Sequence, residues 1–182
     1  MIIMATLSER YAKTFCKEYR SHRWPKLKRG HRDYSSAEWT EQMYKILEKT
    51  AKSLGLKRKR TELRKIDLTW YKGEEDTPEV TVEHENGYKG IWKEEIPKLL
   101  SSNADLKVLI CYPPKKEYWE IAQKFTSKLN DEKRLKKTRA RSLCEEFLLI
   151  MGKREEIVIH EPEGFVIYVY TPAFSVKRFR NY

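Results

Sequence analysis

The sequence predicts a mixed α/β protein with a central mixed sheet flanked by helices. Three observations carry this. Apolar residues at helical spacing alternate along the chain with runs at strand spacing. The run Leu106 to Tyr112 (LKVLICY) is apolar almost throughout, which suits a strand covered on both faces. The resulting order is helix, strand, strand, helix, strand, helix and further strands, which builds a sheet with helices on both sides.

The elements follow in chain order. Residues 8–20 predict a helix, with Tyr11, Phe15 and Tyr19 at spacing four. Residues 21–34 (SHRWPKLKRGHRDY) contain Pro25 and Gly30 and predict a basic loop with Trp24 and Tyr34 embedded in it. Ser35 and Glu38 have the spacing of a capping box. The helix after them runs to about Leu54 on a stripe of Trp39, Met43, Ile46, Leu47, Thr50 and Leu54, and stops at Gly55. Leu63 to Tyr71 reads as one strand and Pro78 to Asn86 as another, with acidic turn residues Glu74 to Asp76 between them. Residues 90–102 predict a short helix carrying Ile91, Trp92, Ile96, Leu99 and Leu100. Pro113 and Pro114 end the strand of Leu106 to Tyr112. A longer helix follows, with Trp119, Ala122, Phe125 and Leu129 on one stripe. Phe147 to Met151, Glu156 to His160 and Phe165 to Thr171 are strand-like. No repeat or Gly/Ser linker divides the chain. Its 182 residues suit one domain, residues 1–182, with residues 1–34 as a basic N-terminal helix and loop extension.

Composition narrows the class. No apolar run approaches the roughly 20 residues that span a bilayer. The apolar start, Met1 to Leu7, precedes the charges at Glu9 and Arg10, the reverse of a secretory signal. A soluble, intracellular protein is therefore expected, with no membrane partner. Cys16, Cys111 and Cys144 are too scattered for a disulfide framework or a zinc knuckle, and read as buried thiols. His22, His31 and His160 show no metal-ligand spacing.

Charge says more. Lys and Arg total 38 against 27 acidic residues, a net +11 at pH 7, which favours a polyanionic partner. Lys133 to Arg141 (KRLKKTRAR), Lys57 to Arg60 (KRKR) and the C-terminal Lys177, Arg178 and Arg180 supply candidate phosphate contacts. Nothing resembles a helix-turn-helix or a zinc finger, so no base sequence is predicted.

The acidic residues point to chemistry. Asp67 interrupts an apolar and aromatic strand, Ile66-Asp67-Leu68-Thr69-Trp70. Glu83 and Glu85 lie in the next strand, Val80-Thr81-Val82-Glu83-His84-Glu85-Asn86, and strand alternation places both on one face. An antiparallel neighbour brings Asp67 beside them. Clustered carboxylates repel and resist burial, and a hard divalent cation is the usual reason to gather them. A cation held there suits phosphodiester hydrolysis. The plain alternative is a set of solvated strand-end acids facing Lys or Arg. His84 points to the opposite face and reads as a packed core histidine.

The stretches IDLTWY, VTVEHEN, GIWKEEIPKLL and LKVLICYPP together resemble the core of the PD-(D/E)XK, or restriction-endonuclease-like, superfamily. Its members have a helix, a strand bearing Asp, a second strand ending in (D/E)-x-K, a helix and a third core strand. The resemblance covers roughly residues 36–114. It implies a nuclease that cuts DNA with Mg2+ or Mn2+, held by Asp67, Glu83 and Glu85. The family's lysine position is occupied here by Glu85. A lysine on the following helix can replace it, and of Lys89, Lys93 and Lys98 we favour Lys98, beside the Leu99-Leu100 stripe. Many members add a Glu from the preceding helix, but Glu41 and Glu48 fall opposite the Met43 stripe and are left out. The other functional readings are a non-catalytic nucleic-acid-binding protein on the same fold and an RNA-binding or RNA-processing protein. A homodimer is compatible with two-strand cleavage.

Overall fold

A computed structural model describes residues 5–26, 35–63, 66–73, 77–136, 145–152, 165–170 and 176–179. Tyr34 and most of the basic loop, the acidic turn at 74–76, residues 137–141 of the basic run, the run at 156–160, Arg180, Cys144, His31 and His160 lie outside the described residues.

Four helices and seven strands follow one another as α1 (Leu7–Ser21), α2 (Ser36–Ser53), β1 (Arg58–Leu63), β2 (Ile66–Tyr71), β3 (Val80–His84), α3 (Glu95–Ser101), β4 (Leu106–Cys111), α4 (Tyr118–Lys136), β5 (Glu146–Gly152), β6 (Phe165–Tyr170) and β7 (Val176–Phe179) among the described residues. The strands form one sheet in sequence order, β1-β2-β3-β4-β5-β6-β7. The pairs β1/β2 and β2/β3 are antiparallel, as are β5/β6 and β6/β7. Only the two central steps, β3/β4 and β4/β5, are parallel. A parallel step needs a crossover, and α3 and α4 supply the two.

The helices divide between the two faces. One face carries Leu68, Trp70, Val80, Val82, Leu106, Val108, Ile110, Leu148 and Ile150, packed under Tyr11, Phe15 and Tyr19 of α1 and Trp39, Met43, Ile46 and Leu47 of α2. The helix of the segment expected as an N-terminal extension is thus built into this layer. The other face carries Leu109, Cys111, Phe147, Leu149 and Met151 under α3 and α4. Strand β4 has neighbours on both edges and helices on both faces, so every residue of LKVLIC is buried. That includes Lys107, whose ammonium donates to Glu145 Oε2 at 2.7 Å and lies 5.2 Å from the Phe147 ring centre. Among the described residues, no helix is long and apolar enough to cross a membrane.

Local signals explain the boundaries. Thr6 with Glu9, and Ser35 with Glu38, close capping boxes at the starts of α1 and α2. Gly55 follows α2 with φ 77°, the left-handed position that ends a helix at little cost for glycine. Replacing Ser35 with Ala leaves the Glu38 N–H of the first turn without its side-chain acceptor. The expected cost is about 1 kcal/mol, read as a lower urea midpoint with an unchanged slope.

Three sequence expectations are corrected here. Leu63 to Tyr71 is not one strand: Leu63 ends β1, and Ile66 starts β2 directly opposite it. The basic run at 57–60 leads into β1, the first strand in the sheet order among the described residues. The helix expected from residue 90 begins at Glu95, and residues 91–94 form turns before it. In α4 the buried stripe is Tyr118, Ile121, Ala122, Phe125 and Leu129, whereas Trp119 is 65% exposed. A stripe at i, i+3, i+4, i+7 and i+11 starting from Tyr118 turns its neighbour Trp119 by about 100° toward solvent.

Candidate active site

The acids of β2 and β3 meet on the face covered by α3. Leu68 pairs with Val82 in the antiparallel register, so one step further Asp67 stands across from Glu83. The even-numbered residues of both strands enter the α1/α2 core, which leaves Asp67, Thr69, Thr81 and Glu83 facing α3. Asp67 is fixed by the main chain: its Oδ2 accepts the backbone N–H of His84 at 2.8 Å. Glu83 is 1% exposed, and its Oε1 is buried without a hydrogen-bond partner.

Helix α3 adds one acid and one base. Glu95, in its first turn, is buried, and Lys98, one turn on, donates to Glu95 Oε2 at 2.7 Å. The Lys98 ammonium lies 4.0 Å from the partnerless Oε1 of Glu83. That distance is too long for a hydrogen bond and short enough for strong electrostatic coupling.

Burial, a hydrogen bond with Glu95 and the charges of Asp67 and Glu95 push the Glu83 carboxyl far above the usual carboxylate range. Lys98 opposes this without reversing it. Burial also raises Asp67, helped by the charge of Glu95, while the His84 N–H, Lys98 and a hydrogen bond from Glu83 act against the rise. Partial burial disfavours the Lys98 ammonium, but its bond to Glu95 and the charges of Glu83, Glu95 and Asp67 outweigh that and raise its pKa. Three acids thus crowd one ammonium, which favours the neutral form of Glu83. Such a group gains from a cation that replaces the proton.

Among the described residues, no group of three or more His, Cys, Asp or Glu side chains is arranged to hold a metal ion by itself. The donor chemistry here fits a smaller role. Mg2+ commonly takes one or two carboxylates and fills its octahedron with water and substrate phosphate. Asp67 and Glu83 offer hard oxygen donors of that number, one of them an oxygen with no partner.

The structure therefore brings Asp67, Glu83 and Lys98 together. Glu85 lies just past the end of β3, where its Oε1 accepts the N–H of Gly87 at 2.9 Å. Its charge acts on the Cys111 thiol, which burial above all holds high. The third acid acting on Asp67 and Glu83 is Glu95, which the sequence reading passed over. The signal for it was present: Glu95 and Lys98 are three apart, hence on one face of a short helix.

The remaining candidates are structural. His84 sits on the opposite face, its Nε2 is 2.8 Å from Tyr112 Oη, and burial lowers its pKa to about 4. Glu41 pairs with Lys45 on the exposed side of α2. Trp24 turns inward and stacks on Trp39 at 5.0 Å. No protein-family model matches the chain, and no curated protein matches it.

Proposed function

We propose that the chain is a metal-dependent nuclease that hydrolyses DNA phosphodiester bonds on a restriction-endonuclease-like core. The observation that carries this is the buried, partnerless Glu83 Oε1 with Asp67 across the strand pair and the Lys98 ammonium 4.0 Å away. After α2 and β1, the order β2 with Asp67, β3 with Glu83, α3 and β4 agrees with the resemblance, and Lys98 of α3 is a candidate for the lysine that β3 lacks.

Asp67 and Glu83 would hold Mg2+ or Mn2+. When bound, such an ion polarises the phosphoryl group and lowers the pKa of an attacking water. Lys98 stays an ammonium at neutral pH and offers its charge to a phosphate oxygen, where negative charge grows during the displacement. Glu95 holds Lys98 in that position. The His84 N–H fixes one Asp67 oxygen.

Incubating labelled single-stranded, duplex and branched DNA with Mg2+, Mn2+ or EDTA tests the reading. Cleavage that needs the metal supports it. A pure protein that cuts no DNA form with either metal is instead a nucleic-acid-binding protein on this fold. What favours that second reading is Glu85 in the family's lysine position, together with a carboxylate set too small to hold an ion unaided.

Either reading predicts salt-sensitive DNA binding, since the partner is inferred from the +11 net charge. Each phosphate neutralised adds about 0.9 to the negative log–log slope. Three or more contacts would weaken binding at least about fortyfold between roughly 50 and 200 mM salt. Filter binding in EDTA reads this directly, and a flat salt dependence would remove nucleic acid as the partner.

A further inference from the structure

Trp119 is the one large apolar side chain that stands exposed among the described residues, at 65%. Indole surface left in water costs free energy, and an isolated ring needs a reason only when its neighbours form a pattern. Here they do. Lys115 and Lys116 are exposed four and three residues before it, in the 3-10 turn of 115–117 that enters α4. A second ring carries a cation nearby: the Lys124 ammonium lies 4.5 Å from the centre of the Trp92 ring. Glu120 is exposed beside Trp119, while Glu117 is half-buried and accepts the Tyr88 hydroxyl at 3.2 Å.

Its place in the fold matters as much. Strands β3 and β4 are parallel and paired from Val80↔Leu106 to His84↔Ile110, so their C-terminal ends share one edge of the sheet. Glu83 is near that edge on β3, and α3 starts there with Glu95. The chain leaving β4 at Cys111 reaches Trp119 from the same edge. The contacts of Tyr88 with Glu117 and of Lys124 with Trp92 join the segment between β3 and α3 to the start of α4. The start of α4, with the ring and its lysines, thus lies at the same end of the sheet as the acids.

We propose that Trp119, with Lys115 and Lys116, binds an unpaired stretch of nucleic acid by stacking a base on the indole and pairing the flanking phosphates with the lysines. This rests on the nuclease reading for its link to cleavage, but not for binding. A second protein chain suits the patch poorly. A stable protein interface buries roughly 800 Å2 on each partner, and one Trp offers at most about 250 Å2. A single ring bordered by cations matches a base bordered by phosphates. Within a duplex each base face is covered by the next base, so only unpaired bases are free to stack on a protein ring.

The test is binding in EDTA, followed by fluorescence anisotropy, of a labelled oligothymidylate and of a blunt duplex of equal length. Trp119→Ala is expected to weaken oligothymidylate binding roughly tenfold, Trp119→Phe less than about threefold, and duplex binding by either variant less than about twofold. Replacing Lys115 and Lys116 together should lower the salt slope by about one to two. Thermal melting confirms that the variants fold, as expected for an exposed position. Equal affinity of wild type and Trp119→Ala for oligothymidylate overturns the proposal. So does an equal loss on duplex, failure of Phe to restore binding, or a change of oligomeric state in the Ala variant. If the Trp119 effect holds while wild type cuts nothing with metal, the stacking site stands and the nuclease reading fails. If cleavage depends on the acids while the Trp119 variants bind normally, only the stacking site fails.

Discussion

Replacing Asp67 or Glu83 with Ala is expected to lower the proposed metal-dependent DNA cleavage by at least about 10³-fold while DNA binding in EDTA stays within about threefold of wild type. The two effects separate because they come from different residues. In the proposed centre the acids would contribute only when a cation is held against the scissile phosphate. Affinity for the backbone comes from Lys and Arg elsewhere. Asp67→Ala has a second consequence, because the His84 N–H loses the carboxylate it donates to at 2.8 Å. An orphaned N–H costs about 1–3 kcal/mol when buried. Asp67→Asn keeps an oxygen in that place and removes the charge, so it should fold as well as wild type and still fail to cut. Glu85→Ala is the informative control. The Glu85 carboxylate is engaged with the Gly87 N–H, so its loss should leave cleavage within about threefold of wild type. Cleavage assays on purified, folded variants decide it. Full activity of the Asp67 and Glu83 variants would dissolve the proposed centre, and a Glu85→Ala loss as deep as theirs would restore Glu85 to it.

Glu85 and Glu95 exchange places between sequence and structure for different reasons. Glu85 keeps the side that alternation assigns it, close enough to Cys111 for its charge to act there, but just past the end of β3 the Gly87 N–H takes its Oε1. Glu95 looks in sequence like one more surface acid of a charged helix start, and only the packing of α3 over β3 turns it inward. Asp67 and Glu83 were legible because each interrupts an apolar strand, and a charge among buried residues is conspicuous. The same reasoning explains the fold. Apolar repeats marked α1, α2 and β4 clearly, and the Ser35 and Glu38 pair marked a helix start. The edge strands were not legible as such: β1 is Arg-Lys-Arg-Thr-Glu-Leu, polar as suits a strand with one neighbour among the described residues. Trp119 was read as core because large aromatics usually are, although a one-residue shift of the stripe to Tyr118 fits the helical period better.

The burial of Glu83 has a thermodynamic consequence that runs against catalysis. With its folded-state pKa raised above the unfolded value, the folded chain binds one more proton than the unfolded chain through the interval between the two. Stability from this group is complete below the unfolded pKa of about 4.3 and is lost as pH rises toward the folded value. Asp67, also raised, acts in the same direction. Lys98 is raised too, but its stabilisation is complete below about 10.5 and fades only above that, outside the range of interest. Glu83→Gln keeps the shape and removes the charge. We expect it to stabilise the metal-free protein at pH 8 by about 2–3 kcal/mol, which for a chain of this length raises Tm by roughly 5–10 °C. The gain should shrink steadily on acidification and vanish near pH 4, where Glu83 is neutral in both states. Added Mg2+ or Mn2+ should then reverse the order. The wild type gains stability because the ion takes the place of the proton, and the Gln variant, with a weaker donor, gains little. Thermal melts of both proteins from pH 4 to pH 8, with and without metal, measure all of this. A Gln variant that melts lower than wild type at pH 8 without metal would mean that Glu83 is ionised and paired in the folded state, and the cation site would lose its main physical support.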